Sequence, residues 1–563
     1  MQNTRRVAGI VALLLSSFAV ADGPVVPTPN FPATYKYKPN AEADAAFATF
    51  DSTTSPGCAA AVAKDGKLIY SRGYGMANLD HNVPITTQTP FHVASVSKQF
   101  TAGSIILLAQ DGKLSLDDDV RKYLPEVPDF GTSITLRQMI HHTSGLRDQW
   151  DLLELAGWRY SKDRISDDDV LRLVARQRKL NFEPGSQFLY SNMGYTLLAL
   201  VVKKVSGQSL REFTTERIFK PLGMNNSHFR DDHAEIITGF ANGYDRAGDS
   251  FKTNVTNFDT TGATSLITTP EDLLLWDENL HTGKVGGKSF IDQMLQRATL
   301  NSGETITYAS ALAHREYRGA AMVGHGGSDA GYRSTVRRFP QLHFGLAITC
   351  NIAEARPDEL ANQLSDAFLA AELKPKVQPP KEFKPSLKSV RAKAGVYWDR
   401  VSGRVMRLVE KDGKLQRVDD SGAAQPLFVR SENRFSLEPT SPIAFDFSGT
   451  GEQRVITSKS GDENPGTFQV VPEFTPSAAE LNEYLGVFAS EELGVRYGMQ
   501  LTDDKLHVAT LTRNPVPLLP VTKDVFINDD LGGVTFVRDA GGRISSLSVT
   551  TSRARNNEFA KLQ

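Results

Sequence analysis

At 563 residues the chain is too long for one hydrophobic core, and surface-to-volume scaling favours two to four domains. Its 63 Lys plus Arg nearly balance 65 Asp plus Glu, with no long run of either sign, so composition argues against nucleic acid or an anionic membrane as partner and for a small molecule or short peptide. Two cysteines, Cys58 and Cys350, exclude a disulfide scaffold and a four-thiolate metal site, and can form one bridge at most.

Arg5 and Arg6 precede an apolar stretch over residues 7–20 that ends in Ala19-Val20-Ala21, a small-x-small cleavage pattern. Residues 1–21 therefore read as a signal peptide, which makes the protein exported, either periplasmic or secreted. No later segment reaches the roughly 20 apolar residues of a membrane span, so no anchor is expected after cleavage. Residues 22–40, with Pro24, Pro27, Pro29 and Pro32, form an extended lead-in.

Residues 41–373 mix strand and helix patterns. Residues 59–74 predict a hairpin turning at Asp65-Gly66. Residues 97–110 predict a buried helix closed by Gly112, and residues 192–205 another ended by Gly207. The apolar run at 344–349 predicts a strand buried on both faces. Prolines 375, 379, 380 and 385 mark a linker over 374–385, and Pro472 and Pro476 mark a second break.

The segments 386–471 and 477–563 are copies at a constant offset of 91 residues. Gly395 aligns with Gly486, Leu415 with Leu506, Phe435 with Phe526, Phe445 with Phe536 and Phe468 with Phe559. Each reads as short alternating strands with turns between them, which predicts two small antiparallel, lipocalin-like β-barrels.

Three motifs carry chemistry. Ser95-Val96-Ser97-Lys98 places a serine and a lysine at i and i+3 where a helix begins, so an amine reaches the hydroxyl that would otherwise be a poor nucleophile. Alone the spacing is weak, since a serine-rich chain holds about one or two such pairs by chance. Tyr190-Ser191-Asn192 sets a phenol and a carboxamide at a helix entrance, where a tyrosine near an ammonium can serve as base and acid, or where the pair is simply a buried ring and a helix cap. Gly324-His325-Gly326-Gly327-Ser328 lets a strand edge approach a ligand closely, with the Ser328 backbone N–H available to an oxyanion. The cluster His228, Asp231, Asp232 and His233 reads as a solvated loop, and no metal site and no cofactor are expected.

In this order the motifs resemble those of the penicillin-recognising serine hydrolases: class C β-lactamases, D-alanyl-D-alanine peptidases, D-aminopeptidases and related esterases. Pro56-Gly57, His142-Thr143-Ser144-Gly145-Leu146 and Pro221-Leu222-Gly223-Met224 add to the resemblance, which covers about residues 50–352. It implies an α/β (α+β) catalytic domain, with Ser95 at the junction of an antiparallel sheet and an all-helical subdomain. Ser95 is then the nucleophile, Lys98 and Tyr190 its proton-handling partners, and Asn192, His325, Gly327 and Ser328 the substrate-binding residues.

His325 takes the place where many β-lactamases have a lysine. An imidazole is charged only below roughly pH 6.5, which favours the peptidase, amidase and esterase branches over efficient β-lactamase activity. The resemblance also makes the strands of Cys58 and Cys350 antiparallel neighbours, with Cα atoms expected about 4.4 to 6.8 Å apart and a disulfide between them.

A catalytic domain followed by two barrels resembles the layout of bacterial D-aminopeptidases, in which the last barrel lends a loop to the active site. The candidate here is the turn over residues 528–533, whose Asp529 and Asp530 would meet a substrate ammonium. The same residues also suit any hairpin turn. An esterase or weak β-lactamase of the same superfamily shares the acylation chemistry, and an inactive cell-wall or penicillin-binding protein is the reading from another class. No Gly-x-Ser-x-Gly occurs, which disfavours an α/β-hydrolase.

Overall fold

The computed structural model describes residues 39–419 and 422–562, so the expected signal peptide and all but the end of the lead-in lie outside the described residues. The catalytic part is built on a six-stranded antiparallel sheet. Strands β1 (Cys58–Lys64) and β2 (Lys67–Tyr74) form the expected hairpin, with Asp65 and Gly66 at φ 51° and 70°, as a two-residue turn between right-twisted strands requires. Strands β3 (Ala313–Tyr317), β4 (Ala320–Asp329), β5 (Tyr332–Phe339) and β6 (Phe344–Cys350) complete the order β3-β4-β5-β6-β1-β2.

Side chains of β1 alternate between two cores. Ala59 and Ala61 face the helical half, while Cys58, Ala60 and Val62 pack with Phe344, Leu346 and Ile348 under the helix Pro357–Phe368. Strand β6 is buried along its whole length. Cys58 and Cys350 are direct cross-strand partners joined by a disulfide. Their Cα separation of 4.0 Å is shorter than expected, the two residues facing each other directly across neighbouring antiparallel strands.

The helical half centres on α1 (Lys98–Gln110), α2 (Gln149–Leu155) and α3 (Asn192–Ser206). Every residue of α1 from Lys98 to Leu108 is buried, which accounts for its lack of a polar face. Gly207 caps α3 in the left-handed conformation, at φ 76°.

Each C-terminal repeat is a nearly closed antiparallel sheet of nine strands, and both have the same strand order, with the first strand paired to the last. The first strands, Gly395–Trp398 and Gly486–Ser490, keep the 91-residue offset, and Phe435, Phe445 and Phe468 are buried like their counterparts Phe526, Phe536 and Phe559. A feature that strand alternation did not reveal is a short helix opening each copy, Leu387–Lys393 and Ala478–Leu481, capped by Ser386 and Ser477 at the same offset.

The copies pack differently. The first has its own apolar core, whereas residues of the second, including Tyr484, Tyr497 and Phe559, join the core of the helical half. Tyr497 donates to the Leu155 carbonyl at 2.7 Å, and Arg147 pairs with Glu492 at 3.1 Å with both side chains buried.

Candidate active site

Ser95 lies in a single 3₁₀ turn, Ala94–Ser97, between a short strand at Phe91–His92 and α1. Ala94 is held at φ 49°, a left-handed conformation that costs roughly 1–2 kcal/mol in an L-residue. Three contacts hold the turn: Ser334 Oγ donates to the Val93 carbonyl at 2.8 Å, Ser97 Oγ donates to the Ala94 carbonyl at 2.5 Å, and the Leu266 N–H donates to Ser97 Oγ at 3.0 Å. Strand β4 runs close alongside, and a Cβ on Gly327 would lie 2.3 Å from both Val93 O and Ser334 Oγ. Only glycine lets the strand approach the serine so closely.

The Lys98 side chain is fully buried. Its Nζ stands 3.1 Å from Ser95 Oγ, 2.8 Å from Asn192 Oδ1 and 2.6 Å from the Ala263 carbonyl oxygen. Burial lowers its pKa to about 7, against the pull of Asp148 and Asp329 in the opposite direction. The geometry suits both protonation states. An ammonium donates to all three oxygens, while a neutral amine keeps the two donations to Asn192 and Ala263 and turns its lone pair to the Ser95 hydroxyl.

Asp148 fixes the carboxamide that faces Lys98. It is fully buried, and its Oδ2 accepts from Asn192 N at 2.6 Å and Asn192 Nδ2 at 2.8 Å, so Asn192 Oδ1 must point to the lysine. Tyr190 is half-buried with its phenol toward Ser95, its ring 4.9 Å from Lys98 Nζ and tilted against His142 with ring centroids 4.1 Å apart. Burial pushes its pKa well up, so the phenol stays protonated.

A hydrogen-bonded chain behind Tyr190 determines the histidine tautomers. The Ser191 N–H donates to His142 Nδ1 at 3.1 Å, so His142 Nε2–H donates to Tyr308 Oη at 3.2 Å. Tyr308 in turn donates to His325 Nε2 at 2.9 Å, while His325 Nδ1–H donates to the Gly326 carbonyl at 2.6 Å. Burial and the Lys98 charge lower the His325 pKa to about 4.

The other candidate residues are placed around this arrangement. His325 does not line the Ser95 cleft but an adjoining cavity with Tyr308, and both its ring nitrogens are engaged. Gly327 serves the close packing of β4 and likewise does not line the cleft, whereas Ser328 does. Asp529 and Asp530 line a neighbouring cavity that meets the cleft at Asp151 and Glu154.

The part of the second barrel that enters the cleft is a different hairpin, residues 551–556. Its backbone is tied down by Asp148 N donating to Arg553 O at 3.0 Å, Arg553 N donating to Asp151 Oδ2 at 3.0 Å and Arg555 N donating to Asn181 Oδ1 at 2.8 Å. Arg553 lines the cleft, 3.8 Å from Asp148 and 3.7 Å from Asp151. The cleft measures about 310 Å³, and Trp150, Asp151 and Glu154 of α2, with Tyr160, form one wall of it. Sequence reasoning missed Asp148, Asp151, Tyr308 and Arg553. Elsewhere Asp232 and His233 meet Asp259, on which Arg164 and the His233 N–H also converge.

The Beta-lactamase family matches residues 43–370, more than half of the chain. A D-aminopeptidase from Cereibacter sphaeroides is 28% identical over 524 residues, 90% of this chain and 96% of that protein. One from Gluconobacter oxydans is 27% identical over 359 residues, where the chain spans 66% of its relative, just under two thirds. Among solved structures, the octameric penicillin-binding protein homologue from Pyrococcus abyssi superposes with a TM-score of 0.54 at 22% identity, covering 74% of this chain and 96% of that one. SurE does so with 0.53 at 22% identity, covering 77% and 99%. With the Ser95–Lys98 pair, the Tyr190–Asn192 wall and the close-packed β4 strand in one cleft, the chain belongs to the beta-lactamase family and is a serine hydrolase of the penicillin-recognising superfamily.

Proposed function

We propose that the protein is an exported D-aminopeptidase-like hydrolase that cleaves amides or short peptides beginning with a D-residue, through an acyl-enzyme on Ser95. The observation that carries this reading is the placement of Lys98 Nζ between Ser95 Oγ, Asn192 Oδ1 and Ala263 O in a buried site. Neutral Lys98 takes the proton as Ser95 Oγ attacks the carbonyl carbon, and the carbonyl electron pair moves onto oxygen near the Ser328 N–H. When the adduct collapses, the C–N bond breaks and the departing amine takes that proton, relayed by the Tyr190 phenol. Water then gives a proton to the same pair and attacks the ester, and Ser95 recovers its hydrogen.

Recognition of an α-ammonium falls to the acidic wall of the cleft, Asp151 and Glu154. Glu154 makes no side-chain hydrogen bond among the described residues, and burial raises its pKa. D-aminopeptidases similar to this chain support the substrate class. The leader-like first residues and the Cys58–Cys350 disulfide support export, since such bridges persist in oxidising compartments.

The test is a hydrolysis panel of D- and L-aminoacyl amides, D-alanyl-D-alanine peptides, simple esters and a chromogenic cephalosporin. Free-amine D-aminoacyl amides are expected to give the highest kcat/KM, and Ser95→Ala to abolish it. Turnover confined to esters or to the cephalosporin would sink the aminopeptidase reading.

A further inference from the structure

A second cavity, of about 430 Å³, lies where the catalytic part and both barrels meet. It shares Tyr190 and Arg553 with the Ser95 cleft, so a substrate that runs out of the cleft past these two side chains enters it. The two copies of the barrel build it with the same hairpin. Residues 463–467 come from the first copy and residues 552–555 from the second, which matches 461–464 at the 91-residue offset.

Three guanidinium groups line this cavity: Arg404 from the first barrel, and Arg553 and Arg555 from the second. Each carries five N–H donors. Among the described residues Arg404 uses one, Nε to Ser402 Oγ at 3.3 Å, and Arg555 uses one, Nη1 to Gln187 Oε1 at 3.3 Å. Among the described residues the Arg553 guanidinium makes no hydrogen bond but forms ion pairs with Asp151 at 3.7 Å and Asp148 at 3.8 Å, and Arg555 Nε is buried without a partner.

Two acids, Asp399 and Glu463, share the lining. Asp399 is buried and already accepts from the Val401 N–H and from Ser402 Oγ, and Asp148 and Asp151 lie against Arg553, so the donors left unspent are chiefly those of Arg404 and Arg555. Guanidinium groups with most of their donors unspent around one cavity match a bidentate anion, and a guanidinium fork fits a carboxylate.

We propose that this junction binds a carboxylate carried by the substrate several bonds from the scissile amide, so that the enzyme prefers peptides with an acidic far end. The claim rests on the reading of the cleft as an amide hydrolase. The carboxylate can be the terminal one or an acidic side chain, and the substrates separate the two. The full-length enzyme would be assayed on a D-alanyl tetrapeptide with a free terminal carboxylate, on its terminal amide, and on that amide with a glutamyl residue at the third position. D-Alanine amide, too short to reach the junction, is the control.

A preference of about tenfold or more in kcat/KM for either carboxylate-bearing peptide is expected, the size of one or more charge-assisted hydrogen bonds. Arg404→Gln with Arg555→Gln should erase it while D-alanine amide turns over as before, and Arg555→Lys should keep part of it. Equal rates on all three peptides in the wild type, or a preference that survives the double substitution, overturns the proposal. Failure to cleave D-alanine amide counts against the hydrolase reading instead. In that case calorimetric binding of the free-carboxylate and amide peptides to the Ser95→Ala protein decides the junction separately, equal affinity refuting it.

Discussion

Asp148→Asn is the most informative single perturbation, because one buried carboxylate holds Asn192, faces Arg553 and biases Lys98. Its Oδ2 receives two donors from Asn192 and its Oδ1 accepts from the Trp150 N–H at 3.0 Å. An amide of the same shape offers only one acceptor oxygen, so in either orientation an NH₂ group meets donors. At roughly 1.5–3 kcal/mol per charge-assisted bond, and with a buried donor left unpaired, the catalytic part should lose about 3 kcal/mol of stability.

The kinetic consequence has a definite sign. Lys98 acts as a base only when neutral, so kcat/KM of the wild type should rise with pH through about 7. Asp148 raises the lysine pKa, so its neutralisation must move that acidic limb to lower pH. With its tether gone the Asn192 carboxamide can turn, and a misplaced group of this kind costs about 100-fold in kcat. Urea unfolding and a pH–rate profile from pH 5 to 9 measure both effects. An acidic limb that stays put or moves up, in a variant of unchanged stability, would refute the assignment of Asp148 as the residue that positions the site.

Arg553→Ala should shift the same limb the other way, upward, because Arg553 lowers the Lys98 pKa; a downward shift contradicts the electrostatic role given to the hairpin. Ser95→Ala and Lys98→Ala should each lose covalent labelling by a fluorophosphonate probe, and an adduct on the serine variant would move the nucleophile elsewhere. Glu492→Ala strands the buried Arg147 guanidinium and should cost about 3–5 kcal/mol in unfolding free energy, whereas a loss under 1 kcal/mol would show that the second barrel docks by apolar contact alone. Replacing both Cys58 and Cys350 by serine opens a 292-residue loop and should cost about 3–5 kcal/mol under oxidising conditions, with no effect on reduced protein.

What the sequence made legible was local. Ser95 and Lys98 are three residues apart on one helix entrance, Tyr190 and Asn192 two apart on another, and the β1–β2 turn announces itself through Asp65-Gly66. The barrels were visible because their repeat keeps one register. Other features depend on tertiary approach. Asp148 looks like an ordinary helix cap and is one, donating nothing to distinguish its second role on Asn192. Arg553 meets Asp151 across 402 residues of chain, and no spacing rule anticipates that. The paired charges of Asp529 and Asp530 mark one turn of the second barrel, which lines the neighbouring cavity, but the docking of residues 551–556 rests on backbone donors and acceptors that carry no sequence signal. The sequence shows His325 as an imidazole with an ordinary titration, whereas Tyr308 and burial decide its state.

The unequal seating of the two barrels bears on the order in which the protein is assembled. Because residues of the second barrel share the helical half's core and its hairpin holds Asp148 and Asp151, the cleft wall is finished only after a segment more than four hundred residues downstream has folded against it. Closing so long a loop is slow compared with forming the hairpin and helices around Ser95, so the nucleophile is in place well before its surroundings. Hydrolytic competence then reports on maturation of the whole chain: a nascent or truncated molecule holds Ser95 and Lys98 but lacks Arg553 and the hairpin that ties down the wall of the cleft.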